Sequence, residues 1–241
     1  MLELARSGAT EGLWLRAERQ TGGRGRQGRA WESPPGNFYA STLIRVRAGD
    51  PSPATLALAA AVALEEAVST FRHPGEGRDP ESRRASFGTL GPGLRRDDDV
   101  VIKWPNDLLI GGAKLSGILL ERTGDAVVIG FGVNLAHHPE SLERPATRLA
   151  AHGNAPDPDV FAETLAESLQ RWVASWREGL GPVRERWLAS AHPVGTALTA
   201  RLADGSSVEG LFQGLDSDGA LILRLADGTS HVIHAGDVFL I

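Results

Sequence analysis

Between residues 100 and 134 the chain reverses direction every few residues, and nothing else in it restricts the fold so strongly. Val100-Val101-Ile102-Lys103-Trp104 runs into a Pro105-Asn106-Asp107 turn, Leu108-Leu109-Ile110 into Gly111-Gly112, and residues 114–122 into 126–134. Short apolar stretches joined by such turns predict an antiparallel meander. Residues 53–71, rich in Ala, Leu and Val with Pro53 in the first turn, predict a helix. So does the stretch opened by Asp157-Pro158, which places Phe161, Leu165, Leu169, Trp172 and Trp176 on one face. A shorter helix is expected over 183–189, a helix end over 2–8 with Gly8 as its cap, and strands over 13–17 and 38–45. The fold class is α/β (α+β).

From Pro193 the texture is all strand, with Asp204-Gly205 and Asp227-Gly228 as hairpin signals. Five short strands predict a small barrel, which divides the 241 residues into units 1–190 and 191–241. At roughly 150 residues per domain this is one domain and a small appendage. Residues 72–99 carry as many arginines as acids, much Gly and Pro and few apolar groups, and read as a disordered, solvated insertion.

Composition removes several function classes. There is no cysteine, hence no disulfide, thiolate metal site or cysteine nucleophile. A net charge of −5 gives no reason to expect nucleic acid or an acidic membrane as partner. The longest apolar run, residues 56–64, falls short of the ~20 residues that span a bilayer. Met1-Leu2-Glu3-Leu4-Ala5-Arg6 is not a signal peptide, so the expectation is a cytoplasmic protein without a membrane partner.

Four segments carry chemistry. Gly23-Arg24-Gly25-Arg26-Gln27-Gly28-Arg29 sets three guanidiniums among glycines, a composition suited to phosphate or carboxylate, though equally to a flexible basic loop or an RNA-binding arm. Lys103 and Lys114 are the only lysines among 25 basic side chains. A compact ammonium there does what a planar guanidinium cannot, unless the clustering is chance. A hairpin around Gly111-Gly112 returns Lys114 to Asp107, and Gly117 marks a close approach. In Gly130-Phe131-Gly132-Val133-Asn134 two glycines share one face and leave a flat surface for a planar ligand.

In this order, residues 20–31, Lys103-Trp104-Pro105-Asn106-Asp107, 114–119 and 129–134 resemble the biotin protein ligases, biotin–[acetyl-CoA-carboxylase] ligases, in the short form without a DNA-binding domain. The resemblance covers the chain apart from 72–99. It implies a mixed-sheet, class II synthetase-like catalytic domain with a C-terminal SH3-like β-barrel. It also implies an enzyme that joins biotin to ATP as biotinyl-AMP, with Mg²⁺, and passes biotin to one lysine of the biotin carboxyl carrier protein of acetyl-CoA carboxylase, as a monomer or homodimer. By resemblance Lys114 and Arg26 are catalytic. Gln20 meets the biotin rings, and Gly23, Arg24, Gly25 and Arg26 form the loop that closes over the adenylate. Arg29 meets phosphate, Gly117 touches biotin, and Trp104, Asn106 and Asn134 shape the nucleotide site, with Asp107 steering Mg²⁺ through the phosphates.

Members of the family usually open with a strand ending in Ser-Thr-Asn, and none occurs near Met1. The alternative is therefore an inactive or truncated biotin-binding homologue lacking the first strand of the pocket. Lipoate and octanoyl transferases share the implied fold, but the four segments read as the biotin version.

Overall fold

In the computed structural model, which describes residues 1–72, 99–140 and 145–241, a six-stranded sheet carries the meander. The proposed insertion lies outside the described residues except for its two ends. The first sheet contains β1 (Trp14–Ala17), β2 (Phe38–Arg45), β3 (Val100–Lys103), β4 (Asp107–Ile110), β5 (Ala113–Thr123) and β6 (Ala126–Val133) in the order β1-β2-β6-β5-β4-β3. Every ladder in it is antiparallel; parallel pairing is confined to single bridges, Ile102 with Ala191 and Lys114 with Ala146. The β4–β5 turn works because Gly111 and Gly112, at φ 56° and 77°, take the left-handed conformations that a two-residue hairpin demands.

The long helices cover one face. A short α1 (Leu2–Arg6) packs on the other, against Leu43, Ala126 and Val128, and ends at Ser7, ahead of Gly8. Pro53 opens a 3₁₀ turn that continues into α2 (Leu56–Arg72). From Pro53 to Arg72, with mean hydropathy 1.4, this helix is long and apolar enough to cross a membrane by length and composition, more than its nine-residue apolar run suggests. The fold buries 67% of that stretch instead, packed between the sheet and α3 (Pro158–Glu178). The Asp157 carboxylate caps α3 by accepting from the Asp159 N–H at 2.8 Å. Phe161, Leu165, Leu169, Val173 and Trp176 are buried, while Trp172 is only half-buried. Trp176 is wholly enclosed, and its indole N–H donates to Thr55 Oγ1 at 2.8 Å. Gly179 separates α3 from α4 (Leu180–Ser190).

The C-terminal sheet contains β7 (Ala197–Arg201), β8 (Ser207–Leu215), β9 (Leu221–Arg224), β10 (Ser230–Ile233) and β11 (Asp237–Leu240) in the order β10-β9-β8-β7-β11. Its turns are longer than two-residue hairpins. In Asp204-Gly205, Asp218-Gly219 and Asp227-Gly228 the glycine, not the aspartate, has positive φ, and each turn holds an aspartate that accepts a backbone N–H two residues on or more. The two sheets share one hydrophobic core and several hydrogen bonds. The Trp104 indole donates to Gly219 O at 3.2 Å, Lys103 Nζ to Val238 O at 3.1 Å, and Arg184 to Leu215 O.

Glu11 ties the chain before β1 to the end of α3. It accepts both Nη atoms of Arg177, at 2.9 and 2.7 Å, and the backbone N–H of Arg45. The Arg177 hydrogen bonds hold its carboxyl below the usual glutamate value. The resulting stabilisation is complete above the unfolded value, about 4.3, and is lost as pH falls through the lower folded value. Glu11→Gln is expected to cost about 2 kcal/mol in urea unfolding at pH 7. The deficit should shrink below roughly pH 4; a deficit unchanged there would contradict this account.

Candidate active site

On the sheet face away from α2, strands β2, β4, β5 and β6, the arginine loop and β11 enclose a cavity of about 620 Å³. Its lining includes six cationic side chains, Arg24, Arg26, Arg29, Lys103, Lys114 and Arg201, against three acids, Asp107, Glu121 and Asp237. A chain of net charge −5 thus concentrates positive potential in one hollow, which attracts polyanions.

The floor follows from register. Gly117 on β5 lies directly opposite Gly132 on β6, and neither residue has a side chain to lift a ligand off the sheet. The Trp31 indole lies on that shelf. A Cβ on Gly132 would stand 2.7 Å from its ring, and one on Gly117 would stand 3.4 Å from both the ring and Lys114 Nζ. The sequence placed a flat surface on Gly130 and Gly132; both line the cavity, and the shelf under the Trp31 ring is made by Gly132 with Gly117. The Trp31 N–H is buried without an acceptor among the described residues, a cost of about 1–3 kcal/mol.

The wall is a charge cluster. Asp107 begins β4 and is buried; Lys114 reaches one of its carboxylate oxygens at 2.7 Å, and Lys103 reaches the other at 3.3 Å. The expected return of Lys114 to Asp107 is present in the structure. Two ammoniums on one carboxylate leave a net positive charge, so Lys114, the more exposed, can turn to an incoming anion while Lys103 still neutralises Asp107.

The arginine loop is more ordered than its composition implies. Gly23 O accepts the Trp31 N–H at 2.9 Å and Arg29 O the Gly25 N–H at 2.8 Å, so the loop is a short hairpin closed by a 3₁₀ turn. Gln27 and Gly28 take left-handed φ values at its tip. Arg26 and Arg29 both pair with Asp237 at the start of β11, and Arg24 faces Glu121 at 3.7 Å.

Of the residues singled out in the sequence, Gln20, Arg24, Gly25, Arg26, Arg29, Trp104, Asn106, Asp107, Lys114 and Gly117 line the cavity. Gly23 does not; it sits behind the loop, where a Cβ would collide with Trp31 O and Gln20 Oε1. Asn134, expected at the nucleotide site, is also outside. It is buried, with its amide donating to Thr147 O at 3.0 Å, and it fastens the chain after β6 to residues 147–149. Both oxygens of Asp107 are held by ammonium groups, so a part in magnesium binding would run through the phosphates and not through direct ligation. Among the described residues no group of acids and histidines forms a metal cage. Sequence reasoning missed Trp31 and Asp237. The first had a signal, an aromatic directly after a glycine–arginine loop in a chain with paired strand glycines.

Residues 3–134 match the Biotin/lipoate A/B protein ligase family. The chain belongs to that family. Residues 197–241 of this ligase-family chain match the Biotin protein ligase C terminal domain, which assigns the five-stranded sheet as its SH3-like unit. The chain is 36% identical to the biotin–[acetyl-CoA-carboxylase] ligase of Paracoccus denitrificans, across 96% of this chain and 92% of that protein. It is 32% identical to the corresponding ligase of Mycobacterium tuberculosis, across 99% of this chain and 83% of that protein. Its fold is similar to that of the biotin protein ligase from Aquifex aeolicus solved in complex with biotin and ATP. The TM-score is 0.78 at 21% identity, covering 100% of this chain and 94% of that one.

Proposed function

We propose that this chain is an ATP-dependent biotin ligase that makes biotinyl-AMP and transfers biotin to one lysine of the biotin carboxyl carrier protein of acetyl-CoA carboxylase, in the cytoplasm. One observation carries the reading. Lys114 stands within reach of a glycine shelf and under an arginine loop, in a single cationic hollow. Residues 1–190 serve as the catalytic unit and 191–241 as the unit that closes it.

The chemistry requires this arrangement. A biotin carboxylate oxygen attacks the α-phosphorus of ATP; the bond to the β-phosphate oxygen breaks, and pyrophosphate leaves. Two anions must approach each other, so cations have to be in place beforehand. Lys114 turns from Asp107 to bridge the carboxylate and α-phosphate oxygens. Arg26 and Arg29 take phosphate oxygens in forked hydrogen bonds. Magnesium would be carried on the nucleotide's phosphates and would offset their charge, and Asp107, which keeps Lys103 when Lys114 turns, would act on it only through those phosphates. Gln20, Gly117 and Trp31 hold the rings of biotin, while Trp104 and Asn106 shape the nucleotide end. The loop then keeps water from the mixed anhydride. In the second step the amine of the carrier lysine attacks the acyl carbon, loses a proton and expels AMP.

An inactive biotin binder would need the shelf but not two lysines and three arginines around it, and nothing observed favours that alternative. Incubating the chain with a carrier domain, biotin and ATP is expected to biotinylate the carrier on one lysine. Carrier left unmodified under conditions where a known ligase modifies it would contradict the proposal.

A further inference from the structure

We propose that Asp237, in the C-terminal sheet, is the positioning residue of the arginine loop, an internal anion that sets Arg26 and Arg29 over the cavity. This rests on the ligase reading above. Asp237 opens β11 and is 8% exposed. Its Oδ1 lies 3.3 Å from Arg26 Nη1, and its Oδ2 accepts from Arg29 Nη2. Arg26 Nη1 also donates to Gly236 O at 3.1 Å. A Cβ on Gly236 would stand 2.8 Å from Arg201 O, so a glycine is needed for this backbone to lie so close. The next residue, Val238, offers its carbonyl to Lys103. Three successive residues, Gly236 just before β11 and the first two of that strand, therefore meet three cations of the site.

Little else fixes the two guanidiniums. Arg29 also reaches Gln27, within its own loop, and the loop's ion pair to the first sheet, Arg24 with Glu121, is long and exposed. Exposed pairs of that kind are worth about 0–1 kcal/mol. A carboxylate shielded from water and shared by two arginines is worth more and aims them both. The same geometry lets phosphate, with more charge and more acceptor oxygens, join or replace the carboxylate without moving the loop. The C-terminal unit thus holds the lid ready as well as covering the site.

Asp237→Asn keeps the shape and removes the charge. It is expected to raise the release rate of biotinyl-AMP at least about tenfold. That release is read as labelling of a bystander protein lacking the carrier sequence and as loss of adenylate from pre-loaded enzyme. KM for ATP should rise several-fold and KM for biotin little, a split that general loosening of the fold would not produce. Asp237→Glu should restore slow release. In the double variant R26Q/R29Q, adding Asp237→Asn should change release far less than it does in the wild type, because the carboxylate acts through those two arginines. Should D237N unfold, the double substitution R26Q/R29Q, on the exposed loop, must show the same fast release with Asp237 intact. Wild-type release in a folded D237N, or in R26Q/R29Q, would overturn the inference while leaving the ligase reading in place. Absence of adenylation in the wild-type protein would remove both.

Discussion

Lys114→Ala is expected to lower biotin-dependent adenylation by about 10²–10³-fold, the usual loss when one preorganised stabiliser of developing charge is removed. The structure gives the reason in two distances. Lys114 Nζ stands 2.7 Å from Asp107, and a Cβ on Gly117 would lie 3.4 Å from the same nitrogen, so the ammonium sits at the edge of the shelf where a carboxylate and a phosphate must meet. Folding should survive, because Asp107 retains Lys103 and Lys114 is partly exposed. Arginine is not expected to substitute. Its planar group is longer and wider than an ammonium and would crowd the Trp31 ring and Gly117, both close to Lys114 Nζ. The measurement is kcat/KM for adenylation with thermal unfolding in parallel. A folded K114A variant within threefold of wild type would contradict the assignment.

Gly132→Val should be nearly as damaging and for a steric reason. A Cβ there would stand 2.7–2.9 Å from three atoms of the Trp31 indole. A ring cannot yield at its end as a flexible side chain does, so Trp31 and the loop attached to it have to lift from the sheet. Misplacing groups by about 1 Å costs on the order of 10²-fold in rate, and the shelf itself is lost to the substrate. Stability should fall by about 1–3 kcal/mol, the usual cost of overpacking, without unfolding the chain. Biotin titration and the melting temperature separate the two effects. A stable variant with wild-type biotin affinity would show that the shelf is not the binding surface.

The sheet was legible because its turns are written locally. Gly111-Gly112 fixes the β4–β5 hairpin, and that hairpin alone brings Lys114 back to Asp107, seven residues away in sequence. The two long helices were legible through period and capping, Asp157-Pro158 above all. The C-terminal strands were readable, but their turns proved longer than Asp-Gly suggested, because the aspartate caps the turn instead of adopting positive φ.

What escaped depends on contacts across long sequence distances. Asp237 lies 211 residues from Arg26, and only the acidity of the last fifty residues beside a basic loop hinted at the pairing. Asn134 shows the opposite case. It ends the glycine strand that forms the floor, but its amide turns away to satisfy a buried carbonyl at Thr147, a choice that the strand pattern does not encode. The place of Asp107 beside magnesium came from the family resemblance; the hairpin spacing showed only the return of Lys114, and Lys103 pairs with the same carboxylate.

Biotin-dependent exchange of pyrophosphate into ATP tests the central claim most directly, since it isolates the first chemical step and needs no carrier. The account predicts exchange that requires biotin, saturates with it and collapses in Lys114→Ala. Exchange that is absent from the folded protein, or that proceeds equally without biotin, would contradict it.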